Sequence, residues 1–286
     1  MNAAMSNPAT QRAAEGGGGT ILANGIDIHY RRIGGDKPPL VILHGLIGSG
    51  ACLLPLAHAL EDRFDVILPD ARGHGGSSAP GNGYRYRDLA SDVAALIEAL
   101  KLEAPLLAGH SMGGMTAAVV ATEHKSDIRA VALIDPTFIS PEWQREVYES
   151  GVATEHQQMV QMTREDLLAQ ARLRNPARSE EMIQHLVDAR LHTRLRAFDI
   201  LTPPNPDWRE LMKDIDVPVL LVAGDRGVVS PETAWELQRV DSSLRYELIP
   251  DAGHGLPYDK PEQLGAVVSA FLVQATAGGY GAKLAG

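Results

Sequence analysis

Cys52 is the only cysteine in the chain, so no internal disulfide can form, and this usage fits a reducing, cytoplasmic setting. No stretch approaches the roughly 18 consecutive apolar residues of a membrane-spanning helix. Positive charge is scarce as well: 26 Lys and Arg stand against 36 Asp and Glu, a net charge of −10 at pH 7. Nucleic acid and anionic membrane surfaces call for basic patches, so neither is an expected partner. The Cys and His spacing of a structural zinc site is missing, as is any internal repeat. Residues 1–20 lack the apolar segment of a signal peptide, and with Gly16-Gly17-Gly18-Gly19 near their end they read as a flexible leader. The Gly/Ala-rich 275–286 reads as a flexible tail.

What is present suits one folded domain. The 286 residues, 44% of them hydrophobic, can bury a large core and carry an insertion. Residues 26–32 alternate apolar with polar, as an antiparallel edge strand does. The run at 40–43 is wholly apolar, fit for a parallel strand covered on both faces. A helix at 51–60, a strand at 65–68 and a helix at 88–100 follow. The last carries Leu89, Val93, Leu96, Ile97 and Leu100 on one stripe. Strands at 130–134, 217–222 and 245–248, with helices from 231 and at 261–273, continue the alternation. Such alternation predicts a mainly parallel, doubly wound sheet with functional loops at the strands' C-terminal ends. Residues 136–213 break the pattern: strand signals stop, charges and helix formers dominate, and prolines punctuate. They read as a helical cap, leaving 21–135 and 214–274 as the core.

The densest chemical signal is Gly109-His110-Ser111-Met112-Gly113-Gly114, directly after the apolar 104–108 and before a helix at 115–121. It describes a strand, a sharp turn with serine at its tip, and a helix. Glycines flank the turn because a Cβ there would strike neighbouring backbone. Three further landmarks fall at strand ends: His44-Gly45-Leu46, Asp70-Ala71-Arg72-Gly73-His74-Gly75-Gly76-Ser77, and Asp251-Ala252-Gly253-His254-Gly255.

With these four motifs in this order, the chain resembles the α/β-hydrolase superfamily over roughly 21–273, in its capped branch of esterases and C–C hydrolases. The resemblance implies an eight-stranded, mostly parallel sheet flanked by helices, with the cap inserted after strand 6. It implies a cofactor-free enzyme in which Ser111 is the nucleophile and His254 its base, with the Leu46 and Met112 amides as oxyanion hole. His44, Asp70, Arg72 and His74 are expected to brace loops, His110 to pack, and Cys52 to be a small buried side chain. The acid that orients His254 is open between two positions. Most relatives place it after strand 7, three residues beyond a glycine, where this chain has Gly227; Asp225 lies two residues earlier. Others place it after strand 6, where Asp135 stands, and Asp135 is preferred.

In the cap, Phe138, Trp143 and Trp208 are candidates for an apolar substrate pocket, with Met159, Met162 and Phe198 beside them. One of Arg172, Arg174, Arg178, Arg190, Arg194 and Arg196 could clamp a substrate carboxylate, but nothing in their spacing selects it. The expected activity is hydrolysis of a small or medium carboxylic ester or lactone. C–C or amide cleavage on the same scaffold is the alternative, and a ligand receptor built on the fold is a third class. An aspartate would stand at Ser111 in a haloalkane dehalogenase or epoxide hydrolase. The expected partner is a small ester-like molecule; a homodimer is left open.

Overall fold

In a computed structural model, residues 17–124 and 128–277 are described. The core elements run β1 (Gly17–Ala23), β2 (Ile26–Ile33), β3 (Pro39–Leu43), α1 (Leu54–His58), β4 (Asp65–Pro69), α2 (Tyr86–Ala99), β5 (Leu106–His110), α3 (Met112–Glu123) and β6 (Val131–Ile134). Then come α4 (Pro141–Glu149), α5 (Val152–Met159), α6 (Arg164–Arg174), α7 (Glu180–Leu191) and α8 (Trp208–Asp214). The chain closes with β7 (Val219–Arg226), α9 (Pro231–Val240), β8 (Arg245–Gly253), α10 (Leu256–Asp259) and α11 (Pro261–Thr276). Among the described residues no helix is long and apolar enough to cross a membrane.

The strands form one sheet of eight in the order β1-β2-β4-β3-β5-β6-β7-β8. β2 is antiparallel to both β1 and β4, and every later pairing is parallel. Because side chains alternate across a strand, the apolar runs feed two cores. Val41, Leu43, Leu107, Leu133 and Leu221 pack on one face with Leu89, Val119 and Met212 from α2, α3 and α8. Leu40, Ile42, Leu106, Ile134 and Val222 pack on the other with Leu56, Leu264 and Phe271 from α1 and α11. Wholly apolar strands are what a sheet covered on both faces requires.

Two boundaries differ from the expectation. Residues 17–20, assigned to a flexible leader, pair antiparallel with residues 29–32 as the first half of β1. Glycine there serves close approach rather than freedom, since a Cβ on Gly18 would lie 2.5 Å from the Tyr30 carbonyl oxygen. The rest of that leader, 1–16, lies outside the described residues. At the other end, Ala275 and Thr276 complete α11, with Ala275 against the second core, and only 278–286 of the expected tail lie outside the described residues.

The strand order reverses at β3: its chain neighbour β4 lies on one side and β5 on the other. The crossovers therefore leave in opposite directions, and a crevice opens at the carboxyl ends of β3 and β5. Four of the five α-helices between β6 and β7, α5 excepted, begin where Ser140, Thr163, Ser179 and Asp207 accept hydrogen bonds from the amides of Trp143, Asp166, Met182 and Arg209. Leu167, Leu168, Ile183 and Val187 give α6 and α7 a small core of their own.

The loops after β3 and β4 are held by neutral histidines. His44 Nε2 accepts from the Ala71 amide at 2.9 Å, which leaves its Nδ1–H to donate to the Gly45 carbonyl at 2.7 Å. His74 donates from Nδ1 to the Arg72 carbonyl at 3.0 Å and packs edge-on against His44. Asp70 accepts from the Gly50 and Gly76 amides, and Arg72 grips Asp92 through Nε at 2.6 Å. Burial lowers the His44 pKa and, with His44 alongside, takes His74 down to about 3. The unfolded chain takes up a proton at such a histidine below about pH 6.5. The folded chain does not until about pH 3, so this contribution to stability is present at neutral pH and is lost as pH falls through that window. Thermal unfolding followed by circular dichroism should give a lower Tm at pH 4.5 than at pH 7, and His74→Gln should narrow the difference.

Candidate active site

Ser111 sits where β5 becomes α3, at φ 56° and ψ −118°, a conformation that costs on the order of 1–3 kcal/mol outside glycine. The surroundings enforce it. A Cβ on Gly113 would lie 2.4 Å from the Leu43 carbonyl oxygen, and one on Gly109 would lie 2.1 Å from the Gly113 oxygen. Bare backbone at both positions lets α3 start hard against β3 and β5. The Ser111 amide donates to the Ile134 carbonyl at 3.1 Å, tying the tip of the turn to β6. The helix starts at Met112 rather than at 115, because the turn carries no spacer.

His254, just past β8, places Nε2 2.9 Å from Ser111 Oγ and Nδ1 2.6 Å from Asp135 Oδ2. The ionised carboxylate only accepts, so Nδ1 carries the proton and Nε2 faces the serine hydroxyl as a base. Asp135 follows β6 directly, at φ 40° and with no solvent exposure. Its carboxylate also accepts from the Val228 amide at 2.9 Å and the Val229 amide at 2.9 Å, which satisfies a buried charge. Asp225 is elsewhere: its carboxylate accepts from the Asp251 and Ala252 amides, and these bonds hold its pKa below the usual aspartate value. Of the two candidate acids, the structure brings Asp135 to His254. Gly227 explains why the more common position is vacant, since a Cβ on it would lie 2.6 Å from Asp135 Oδ1.

Met112 opens α3, so its amide has no acceptor within the helix. Gly45 abuts the nucleophile, with an added Cβ falling 3.6 Å from Ser111 Oγ, and the turn Gly48 N–H to Gly45 O carries Leu46 past the site. His110 does more than pack. Its Nε2–H donates to the His254 carbonyl at 2.7 Å, its ring lies 4.8 Å from the His254 ring, and burial takes its pKa down to about 3. Tyr258 closes the other side of His110 at 5.5 Å. Neither role has a local sequence signal. Cys52 is buried between Ser49 and the His185 carbonyl, and burial pushes its thiol up, away from the thiolate.

The aromatic candidates need correction. Phe138 and Trp208 stack on each other and belong to the core beneath the sheet face, and Trp143 is 41% exposed. The periodicity of α8 turns Trp208 toward the buried Met212 side of the helix. None of the three lines the cavity that does open beside Leu46 and Ile47. That cavity, of about 280 Å³, is walled by Met159, Leu167, Ile183 and Val187 from α5, α6 and α7.

The family model described as alpha/beta hydrolase fold matches residues 38–261. The chain is 29% identical to N-formylmaleamate deformylase of Pseudomonas putida over 261 residues, 89% of this chain and 96% of that protein. Among solved structures, E-2-(acetamidomethylene)succinate hydrolase superposes with TM-score 0.77 at 23% identity, covering 91% of this chain and all of the other. The enol-lactonase of Burkholderia xenovorans superposes with TM-score 0.73 at 26% identity, covering 89% of this chain and all of the other. With the sheet order, the strand-end serine and a family match over most of its length, the chain belongs to the α/β-hydrolase fold family and is a hydrolase.

Proposed function

We propose that the protein is a serine hydrolase cleaving a small or medium carboxylic ester or lactone through an acyl-enzyme on Ser111. One observation carries the reading: hydroxyl, imidazole and carboxylate stand in line, at 2.9 Å and 2.6 Å. His254 Nε2 takes the Ser111 proton as Oγ attacks the carbonyl carbon. The carbonyl oxygen, now an oxyanion, is met by the Leu46 and Met112 amides in this reading. The tetrahedral adduct collapses, and the imidazolium returns its proton to the departing alkoxide. Water then repeats the sequence: His254 takes its proton, the hydroxide adds to the acyl carbon, and Ser111 leaves reprotonated. Asp135 holds the imidazole tautomer throughout and stabilises the imidazolium.

A second reading, amide cleavage, is supported by the similarity to a protein named as a deformylase over most of both chains. It differs only in needing the imidazolium to protonate a poorer leaving group. A panel of 4-nitrophenyl esters, lactones and N-formyl amides separates the two. The ester reading expects esters or lactones to exceed formamides in kcat/KM, and the reverse order assigns the amide.

Ser111→Ala should lower turnover to less than roughly a hundredth, and a fluorophosphonate probe should label Ser111 alone, as read by peptide mass spectrometry. Asp135→Asn should cost about 10⁴-fold in kcat, while Asp225→Asn stays within about threefold. Gly227→Ala pushes a methyl group into the Asp135 carboxylate, so kcat should fall by about tenfold or more in a folded protein.

A further inference from the structure

The cavity beside Leu46 and Ile47 has a charge composition at odds with the rest of the molecule. The chain carries a net charge of −10, yet the lining includes Arg174, Arg178 and Arg190 and no Asp or Glu. Arg178 is already used. Its Nε donates to Asp259 Oδ1 at 2.6 Å, and its guanidinium lies over the Tyr258 ring. The neighbouring arginines of the insertion are matched too: Arg164 with Asp188 and Arg172 with Glu180 on the helix surfaces. Arg174 and Arg190 differ. Among the described residues neither side chain makes a hydrogen bond or an ion pair, although Arg190 is partly buried. Burial pushes the Arg190 pKa below its ordinary value; Glu155 on α5 raises it without reaching contact, and the nearby Arg174 charge lowers it by less. A guanidinium half withdrawn from water with no hydrogen-bond partner is costly, and an anion in the cavity beside it would supply one.

We infer that this cavity is an anion subsite, in which Arg190 and Arg174 receive a substrate carboxylate separate from the carbonyl that Ser111 attacks. The inference rests on the proposed role of Ser111 and narrows its substrates to acids that carry a free carboxylate, such as hemiesters of short dicarboxylic acids. The walls support the size and the chemistry. Leu46 and Ile47 belong to the loop packed on Ser111, and Tyr258 lies against His110, which bonds the His254 backbone. The cavity is thus bounded by the loop after β3, which adjoins Ser111, and by the neighbour of His110. Its volume of about 280 Å³ suits a short acyl chain, and Met159, Leu167 and Ile183 line its length with apolar surface. The lining combines the two arginines, these apolar side chains and Leu46 of the loop beside Ser111, which suits such a molecule. A planar guanidinium fork also fixes the orientation of a carboxylate, which a neutral chain end would not require.

The test compares mono-4-nitrophenyl glutarate with its neutral methyl ester of equal length, in the full-length protein. Wild type should favour the charged substrate by about tenfold or more in kcat/KM. Arg190→Gln should abolish most of that preference through KM, Arg190→Lys should restore part of it, and Arg172→Gln, outside the cavity, should leave the preference unchanged. Equal rates for both substrates in wild type, or a preference that survives both Arg190→Gln and Arg174→Gln, overturns the subsite. Circular dichroism melting of each variant separates misfolding from lost binding. If no ester is turned over and Ser111 takes no fluorophosphonate, the acyl-transfer reading fails. Calorimetric titration with glutarate then reads the subsite alone: binding that disappears in Arg190→Gln sustains it, and no binding to wild type removes it.

Discussion

A carboxylate with no solvent exposure, clamped between two strand ends, is the constraint on which the site depends. Asp135 leaves β6, and the Val228 and Val229 amides beyond β7 close over it. Left without partners, that charge would cost several kcal/mol of desolvation. With two amides and the His254 N–H directed at it, the charge is stable and the ring of His254 has one orientation. Everything upstream serves that placement. β6 lies between β5, which Ser111 directly follows, and β7, which leads into the loop bearing the amides, so three adjacent parallel strands finish at one point. The Ser111 amide bond to Ile134, one residue before Asp135, ties nucleophile and carboxylate to the same strand end.

Around this line, the loops are kept rigid by groups that do not titrate near neutrality. His44, His74 and His110 are all held neutral by burial, and each spends a ring nitrogen on a backbone carbonyl. Neutral imidazoles can donate on one edge and accept on the other, which a carboxylate or ammonium cannot do. His44 uses both edges, joining the loop after β3 to the loop after β4. The imidazole of His254, 41% exposed, instead turns one ring nitrogen to Asp135 and the other to the Ser111 hydroxyl.

How much was legible in the sequence follows from the range of the forces involved. Ser111 was readable because it lies in a short turn whose glycines, Gly109 and Gly113, are local necessities, and His254 because it stands in a short motif at the end of the last strand. The sheet was readable because burial on both faces writes itself as apolar runs such as 40–43. The acid was readable only as a preference for Asp135 over Asp225, because it depends on where two strand ends, 93 residues apart for Asp135 and Val228, come to rest. The same holds for the arginines. Composition shows six candidates in the insertion, but which are neutralised depends on carboxylates as distant as Asp259, 81 residues from Arg178. The aromatic candidates between β6 and β7 misled because bulk and hydrophobicity do not say whether a side chain turns to a pocket or to the core, and Phe138 and Trp208 joined the core on the sheet. The glycine run at 16–19 misled because the same missing side chain that loosens a free chain permits tight strand pairing.

Gly227 shows how little room the acid's seat leaves. The ends of β6 and β7 run in register, with Ile134 opposite Val222, so either strand can deliver an acidic side chain to one small volume. That volume holds a single occupant: the Asp135 carboxyl fills the space that any side chain at 227 would enter. The missing side chain at 227 is therefore as much a part of the acid's seat as the amides that bind it, and moving the acid to the end of β7 would require emptying the end of β6 first.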